Sequence, residues 1–221
     1  MWKSGHWIPI VCTLIMSMHI NVAGATTPGW DSWLKLGPDA AQLDIQWDSK
    51  TQTPRAIRGP MATVQGNQKI SDVVEQLARD FSSLMGLGSD AMSPSTVERW
   101  RGQTVYRFNQ MLEGIPVEGH QLVIGAKANG DVVSLQNGLV VLQGGLGPRS
   151  IRPEQARELA KTGFKKDVMV PSEPVEVVLA HGTVPVRAYR VPVRGASGGM
   201  WFVFVRADDG RVVWIRDAAI H

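Results

Sequence analysis

The sequence predicts an α+β protein built of two small units, each an antiparallel sheet with one helix packed on a face. Three observations predict it. A single long stretch of 3.6-residue apolar periodicity, residues 70–85, is followed at once by alternating strand patterns. A second, shorter helical pattern opening at Pro153 is followed by four more strand patterns. Between the two lies Gln143-Gly-Gly-Leu-Gly-Pro-Arg149, whose composition is that of a linker. Strands placed next to a helix in this local order give a sheet with the helix on one side.

The elements follow in order. Leu43-Asp-Ile-Gln-Trp47 alternates as a strand, and Asp48-Ser-Lys-Thr-Gln-Thr-Pro54 turns. Ile70, Val73, Val74, Leu77, Phe81, Leu84 and Met85 make one apolar stripe, with Ser71 or Asp72 as cap and Gly86 and Gly88 as terminators. Residues 96–100, 104–112 and 115–126 alternate around Arg101-Gly102 and Glu113-Gly114, and Asn129-Gly130 is a strong hairpin signal before residues 132–135. In the second unit Pro153 suits the first helical turn, Ile151 can staple onto Ala156, and Leu159 and Ala160 complete the stripe before Gly163. Strands are expected at residues 175–180, 184–193, 200–206 and 211–216, the last pair closed by Asp209-Gly210. Trp47, Trp100, Trp201 and Trp214 fall in these strands and are expected to fill the core or an interface.

Composition narrows function by exclusion. The chain has 221 residues, 43% hydrophobic and 19% charged, with 23 basic and 20 acidic residues spread along it. Without a basic run or stripe, nothing argues for nucleic acid. Residues 1–25 read as a signal peptide: Lys3, an apolar run of 16 residues from Trp7 to Val22, then Ala23-Gly24-Ala25. The run is short for a membrane span, which needs about 20 residues. The expectation is a secreted or periplasmic protein starting at Thr26, with no stable span after cleavage. Its division is residues 26–142, a linker at 143–149, and residues 150–221. The lone cysteine, Cys12, lies inside the apolar run, so no disulfide framework follows.

Catalytic motifs are missing. There is no H-E-x-x-H, no G-x-S-x-G, no phosphate loop and no dinucleotide fingerprint. His120, His181 and His221 stand apart and suggest no metal site. Glu113, Glu118 and Asp131 are read as acids flanking turns, with no paired acid/base role. No cofactor, no metal and no enzymatic activity are expected.

Several stretches together resemble the propeptides of thermolysin-like and fungalysin-like secreted metallopeptidases. Residues 45–60, Ile-Gln-Trp-Asp-Ser-Lys-Thr-Gln-Thr-Pro-Arg-Ala-Ile-Arg-Gly-Pro, are similar to the family's strand, T-x-T-P turn and R-x-x-G/S segment. Val105-Tyr-Arg-Phe-Asn-Gln-Met-Leu-Glu-Gly-Ile-Pro-Val-Glu-Gly119 is similar to its Y-x-Q-x-x-x-G-I-P-V-x-G signature, and residues 125–134 to the D-G-x-V hairpin that follows. The tail resembles a PepSY, cystatin-like domain in Ile151-Arg-Pro-Glu-Gln-Ala156, Ala188-Tyr-Arg-Val-Pro-Val193, Trp201-Phe-Val-Phe-Val205 and Ala207-Asp-Asp-Gly-Arg-Val-Val213. Arg152 stands where that helix usually starts with serine or threonine, and the family's catalytic domain has no counterpart in the sequence. The resemblance implies a propeptide-like chaperone or inhibitor whose partner is a thermolysin-like zinc metallopeptidase. It lends no catalytic or zinc-binding residue. The expected contact is the extended C-terminal end, with Ile215, Arg216, Asp217, Ile220 and His221 adding to the edge of a partner's sheet. Two other readings stay open: a stand-alone envelope binding module with the same fold, and the orphan propeptide of a truncated metallopeptidase gene.

Overall fold

The structure, a computed structural model, describes residues 42–88, 90–164 and 168–219. Among these are two helices, α1 (Ile70–Leu84) and α2 (Pro153–Thr162). The strands are β1 (Asp44–Trp47), β2 (Pro54–Thr63), β3 (Met92–Trp100), β4 (Gln103–Leu112), β5 (Ile115–Lys127), β6 (Asp131–Asn137), β7 (Val168–Met169), β8 (Val175–His181), β9 (Val184–Gly195), β10 (Met200–Arg206) and β11 (Val212–Asp217). They run β1-β2-β6-β5-β8-β9-β10-β11, with β3-β4 joined to the other edge of β5 and β7 to β9. A mostly antiparallel sheet with two helices is compatible with the α+β expectation. The expected signal segment at residues 1–25 lies outside the described residues.

On α1, Val74, Ala78 and Phe81 are buried on one stripe against Ile57, Tyr106, Phe108, Leu122, Ile124 and Leu135. The strand residues recur every second position, the period of one sheet face. Each fully buried Phe, Ile or Leu contributes about 1.5–3 kcal/mol. The helix stops where Gly86 takes φ +74°, and the Leu87 and Gly86 amides donate to the Ser82 and Ser83 carbonyls. Its start corrects the expectation. Lys69, not Ser71 or Asp72, is the cap residue, and Asp72 sits inside the first turn, where its charge suits the helix dipole.

Strand β2 went unread in the sequence because Pro54, Gly59 and Pro60 interrupt its pattern. Pro54 occupies its first position, and Gly59-Pro60 lies in a register shift between Arg58 and Ala62, the two places a sheet tolerates proline. Gly59 has φ +119°, and a Cβ there would lie 2.6 Å from the Gln42 carbonyl oxygen.

A second cluster forms around Ala156 and Ala160 of α2, with Tyr189, Val191, Val193, Val203 and Val205 from β9 and β10. Gln155 Oε1 accepts the Arg152 amide at 2.8 Å, so Gln155 closes the helix start that Arg152 cannot cap. The two clusters share no residue. The strand path nonetheless passes from one to the other through a parallel pairing of Val117 on β5 with Val178 on β8.

That crossing depends on a bend in β5. Met111 pairs with Pro116 and Asn109 with Gln121, leaving Gln110 opposite residues 117–120, where Gly119 takes φ +76°. Gln110, only 2% exposed, fills the gap: its Nε2 donates to the Val140 carbonyl at 2.7 Å and its Oε1 accepts the Val140 amide at 2.9 Å. Gln110→Leu keeps the volume and strands both Val140 groups; urea unfolding is expected to show a loss of about 1–3 kcal/mol.

Candidate partner interface

The bend at Gly119 presents Glu118 toward β9, β10 and β11. The Glu118 side chain is only 7% exposed, and both of its oxygens are used. Oε2 accepts Arg190 Nη1 of β9 at 3.1 Å, and Oε1 accepts Arg216 Nη2 of β11 at 2.7 Å. Both guanidiniums lie near the Phe202 ring of β10, at 5.2 Å and 5.5 Å from its centroid. Arg216 is also 5.3 Å from the Trp214 ring, which stacks on Phe204 at 4.9 Å. Arginine suits this place because its guanidinium is weakly hydrated and stacks on aromatic faces.

Glu118, Arg190, Phe202 and Arg216 line one side of a groove of about 860 Å³; Glu98, Arg107, Asn109 and Gln121 of the N-terminal strands line it as well. A further set of contacts spans the same junction. Arg187 meets Glu176 at 2.8 Å and Glu113 at 3.6 Å, and Glu113 also accepts the Leu146 amide. The Arg187 Nε is buried without a partner among the described residues.

Beside the groove runs β11, an edge strand exposing Val213, Trp214 and Ile215 at 45%, 46% and 42%. Of the residues expected to contact a partner, Ile215 and Asp217 lie exposed on this edge, while Arg216 turns inward to Glu118. Ile220 and His221 lie outside the described residues. Of the tryptophans expected to fill the core or an interface, Trp47, Trp100 and Trp214 are 46–60% exposed and so do not fill the core, while Trp201 is half-buried. Glu118 is corrected too, since it sits within β5 as a buried ion-pair centre, whereas Glu113 and Asp131 do border turns. A glutamate within the apolar stretch Ile115-Pro-Val-Glu118 was the available signal; its partners, 72 and 98 residues away, left none. No group of His, Cys, Asp and Glu among the described residues could hold a metal ion.

Residues 95–139, from within β3 through β6 and including Glu118, match the family described as Fungalysin/Thermolysin Propeptide Motif. The chain is 27% identical over 199 residues to the thermolysins of Alicyclobacillus acidocaldarius subsp. acidocaldarius and Bacillus caldolyticus. It is 26% identical over 206 residues to the thermostable neutral protease NprT of Geobacillus stearothermophilus. In each case the match covers 80% of this chain and 35% of the relative, so the chain spans about a third of their length. Among solved structures, the Bacillus megaterium YpeB C-terminal domain aligns with a TM-score of 0.43 and 14% identity, over 84% of this chain and 92% of that one. The chain therefore carries a propeptide-like region similar to that of thermolysin-like peptidases.

Two predictions follow from the geometry. Glu118→Gln removes the shared charge and leaves two partly buried guanidiniums facing each other. After allowing for their 33% and 27% exposure, thermal unfolding is expected to show a loss of about 2 kcal/mol. The second concerns the β10–β11 hairpin, where the hydrogen bond from Arg206 holds the Asp208 carboxyl below its ordinary value of 3.8. A carboxyl depressed by folding stabilises above its unfolded pKa and loses that contribution as pH falls through the folded value. Hairpin amide exchange is therefore expected to accelerate only at a pH below the ordinary aspartate range, and Asp208→Asn is expected to abolish that step.

Proposed function

We propose that this chain is a propeptide-like chaperone and inhibitor of a separate thermolysin-like zinc metallopeptidase, exported after removal of residues 1–25. The observation that carries the reading is the propeptide motif match over residues 95–139, supported by the thermolysin relatives. In this reading residues 26–142 are the propeptide-motif domain, residues 143–149 the linker, and residues 150–221 a PepSY-like domain. The chain is not itself an enzyme.

The physical basis is twofold. A secreted protease is often held native by a high unfolding barrier, and the same barrier slows its folding. A partner that binds the folding transition state lowers it. A partner that also binds the native cleft inhibits. The open edge of β11 suits such contact, because an extended segment adds to a sheet edge through backbone hydrogen bonds, with Trp214 and Ile215 supplying apolar area. Here β11 offers a formed strand.

The test pairs the exported protein with the thermolysin-like peptidases of the same organism, produced as catalytic domains alone. Denatured peptidase is expected to regain activity only with this protein present, and native peptidase to be inhibited saturably. Equal recovery without it, together with no inhibition, rejects the reading. Ile215→Asp is expected to raise the inhibition constant about tenfold, equivalent to 1.4 kcal/mol, with the fold retained by circular dichroism. Unchanged inhibition by that variant rejects β11 as the contact.

A further inference from the structure

We infer that the groove walled by Glu118, Arg190 and Arg216, together with the open sheet face beside it, binds an acidic segment of polypeptide. This goes beyond the metallopeptidase reading and does not rest on it.

The first observation is charge. Glu118 neutralises one of the two arginines it bridges, so the cluster keeps a net positive charge in a concave, partly buried place. The third arginine of the groove, Arg107, has only a loose pair with Glu98 at 4.0 Å. A guanidinium carries five donors, and Arg190 and Arg216 each give Glu118 a bond from a single nitrogen. Donors are thus left over where they are already oriented, by Glu118 below and by the Phe202 ring beside them. Carboxylates are the groups that match such forks.

The second observation is the shape of the face. On the side of the sheet away from α1, backbone register sets residues in rows across six strands. One row is Gln46, Ala56, Gln136, Val123, Arg107, Thr96; the next is Asp44, Arg58, Ser134, Gly125, Val105, Glu98. Small residues, Ser134 and Gly125, lie at the centre of the second row, where a Cβ on Gly125 would sit 2.3 Å from Ser134 Oγ, so the serine hydroxyl fills the space that the glycine leaves. A second groove of about 540 Å³, lined by Arg55 and Arg58, shares Gly119 and Gln121 with the first. Together the two grooves carry five arginines against two glutamates, and Asp44 offsets Arg58 only at 3.9 Å. Much of the positive excess of a chain of net charge +3 is gathered on this face.

The third observation is spacing. Arg58 on β2 and Arg107 on β4 are three strand intervals apart, about 14 Å at 4.7–4.9 Å per interval. An extended peptide covers that in about four residues. The occupant therefore carries two acidic clusters whose nearest acids stand four positions apart, with three residues between them. A nucleic-acid strand would need a continuous basic track, whereas these arginines form two clusters.

The test uses a fluorescein-labelled peptide, Asp-Glu-Ser-Gly-Ser-Glu-Asp, titrated with the purified protein and followed by anisotropy at low salt. Saturable binding is expected, weakening with added salt. Arg107→Gln and Arg58→Gln are each expected to weaken it about fivefold, since an exposed charge pair contributes up to about 1 kcal/mol. Arg79→Gln, on the far side of the sheet in α1, is expected to leave it within twofold. Both groove variants stand outside the Glu118 cluster, so the fold is retained. No saturable binding overturns the inference. So does equal binding of the neutral peptide with Asn and Gln, an equal loss in Arg79→Gln, or tighter binding of a thymidine heptanucleotide.

Discussion

The Glu118 carboxylate ties two strands of the second half, β9 and β11, to β5 of the first. Glu118 stands at the bend of β5 and reaches across to β9 and β11 at once, beside the Val117–Val178 pairing that carries the sheet over. Its position follows from Gly119, whose left-handed backbone breaks the alternation of β5 and leaves room for four residues opposite Gln110. The cost of taking a carboxylate out of water is offset because two guanidiniums share it and an aromatic ring shields them. That contact seats Arg216 in the wall of the groove, while β11 itself is held by its pairing with β10.

Much of this was legible in the sequence, and the exceptions have physical causes. Helix α1 was readable because seven apolar residues at 3.6 spacing leave no other solution. The hairpins at Asn129-Gly130 and Asp209-Gly210 were readable because each turn needs one left-handed position, taken by Gly130 at φ +90° and Gly210 at φ +75°. Strand β2 was hidden because its prolines and Gly59 are accommodated by a strand end and a bulge, features that only the neighbouring strand β6 makes possible. The start of α1 was misplaced because Ser71 and Asp72 favour both a cap and a first turn. The interface was least legible. Glu118 has the sequence context of a turn-flanking acid, and its partners were assigned to separate strands without a signal linking them. The tryptophans were legible only in part, for a related reason: β-propensity places them on strands but does not say which strands lie at an edge or which face is covered, and so does not choose between core and surface.

The propeptide-like match falls on β3 to β6, the part of the chain that supplies Glu118, Arg107 and the bend, whereas the exposed edge belongs to β11. The matched segment thus sets where the unmatched edge strand sits. Trp214 joins the two roles: it stacks on Phe204, lies over Arg216, and still leaves nearly half its surface open. An aromatic side chain fixed in this way contributes contact area without first having to be ordered.

The two larger hydrophobic clusters share no side chain; at the junction stand a third, smaller cluster of Val177, Ala188 and Phe204, the Val117–Val178 pairing and the ion pairs of Glu118 and Arg187. Salt screens charge pairs near the surface but does not screen apolar burial, which excluded salts strengthen. Added salt therefore weakens the ion-paired part of the junction and leaves the Val117–Val178 backbone pairing and its buried valines to hold it.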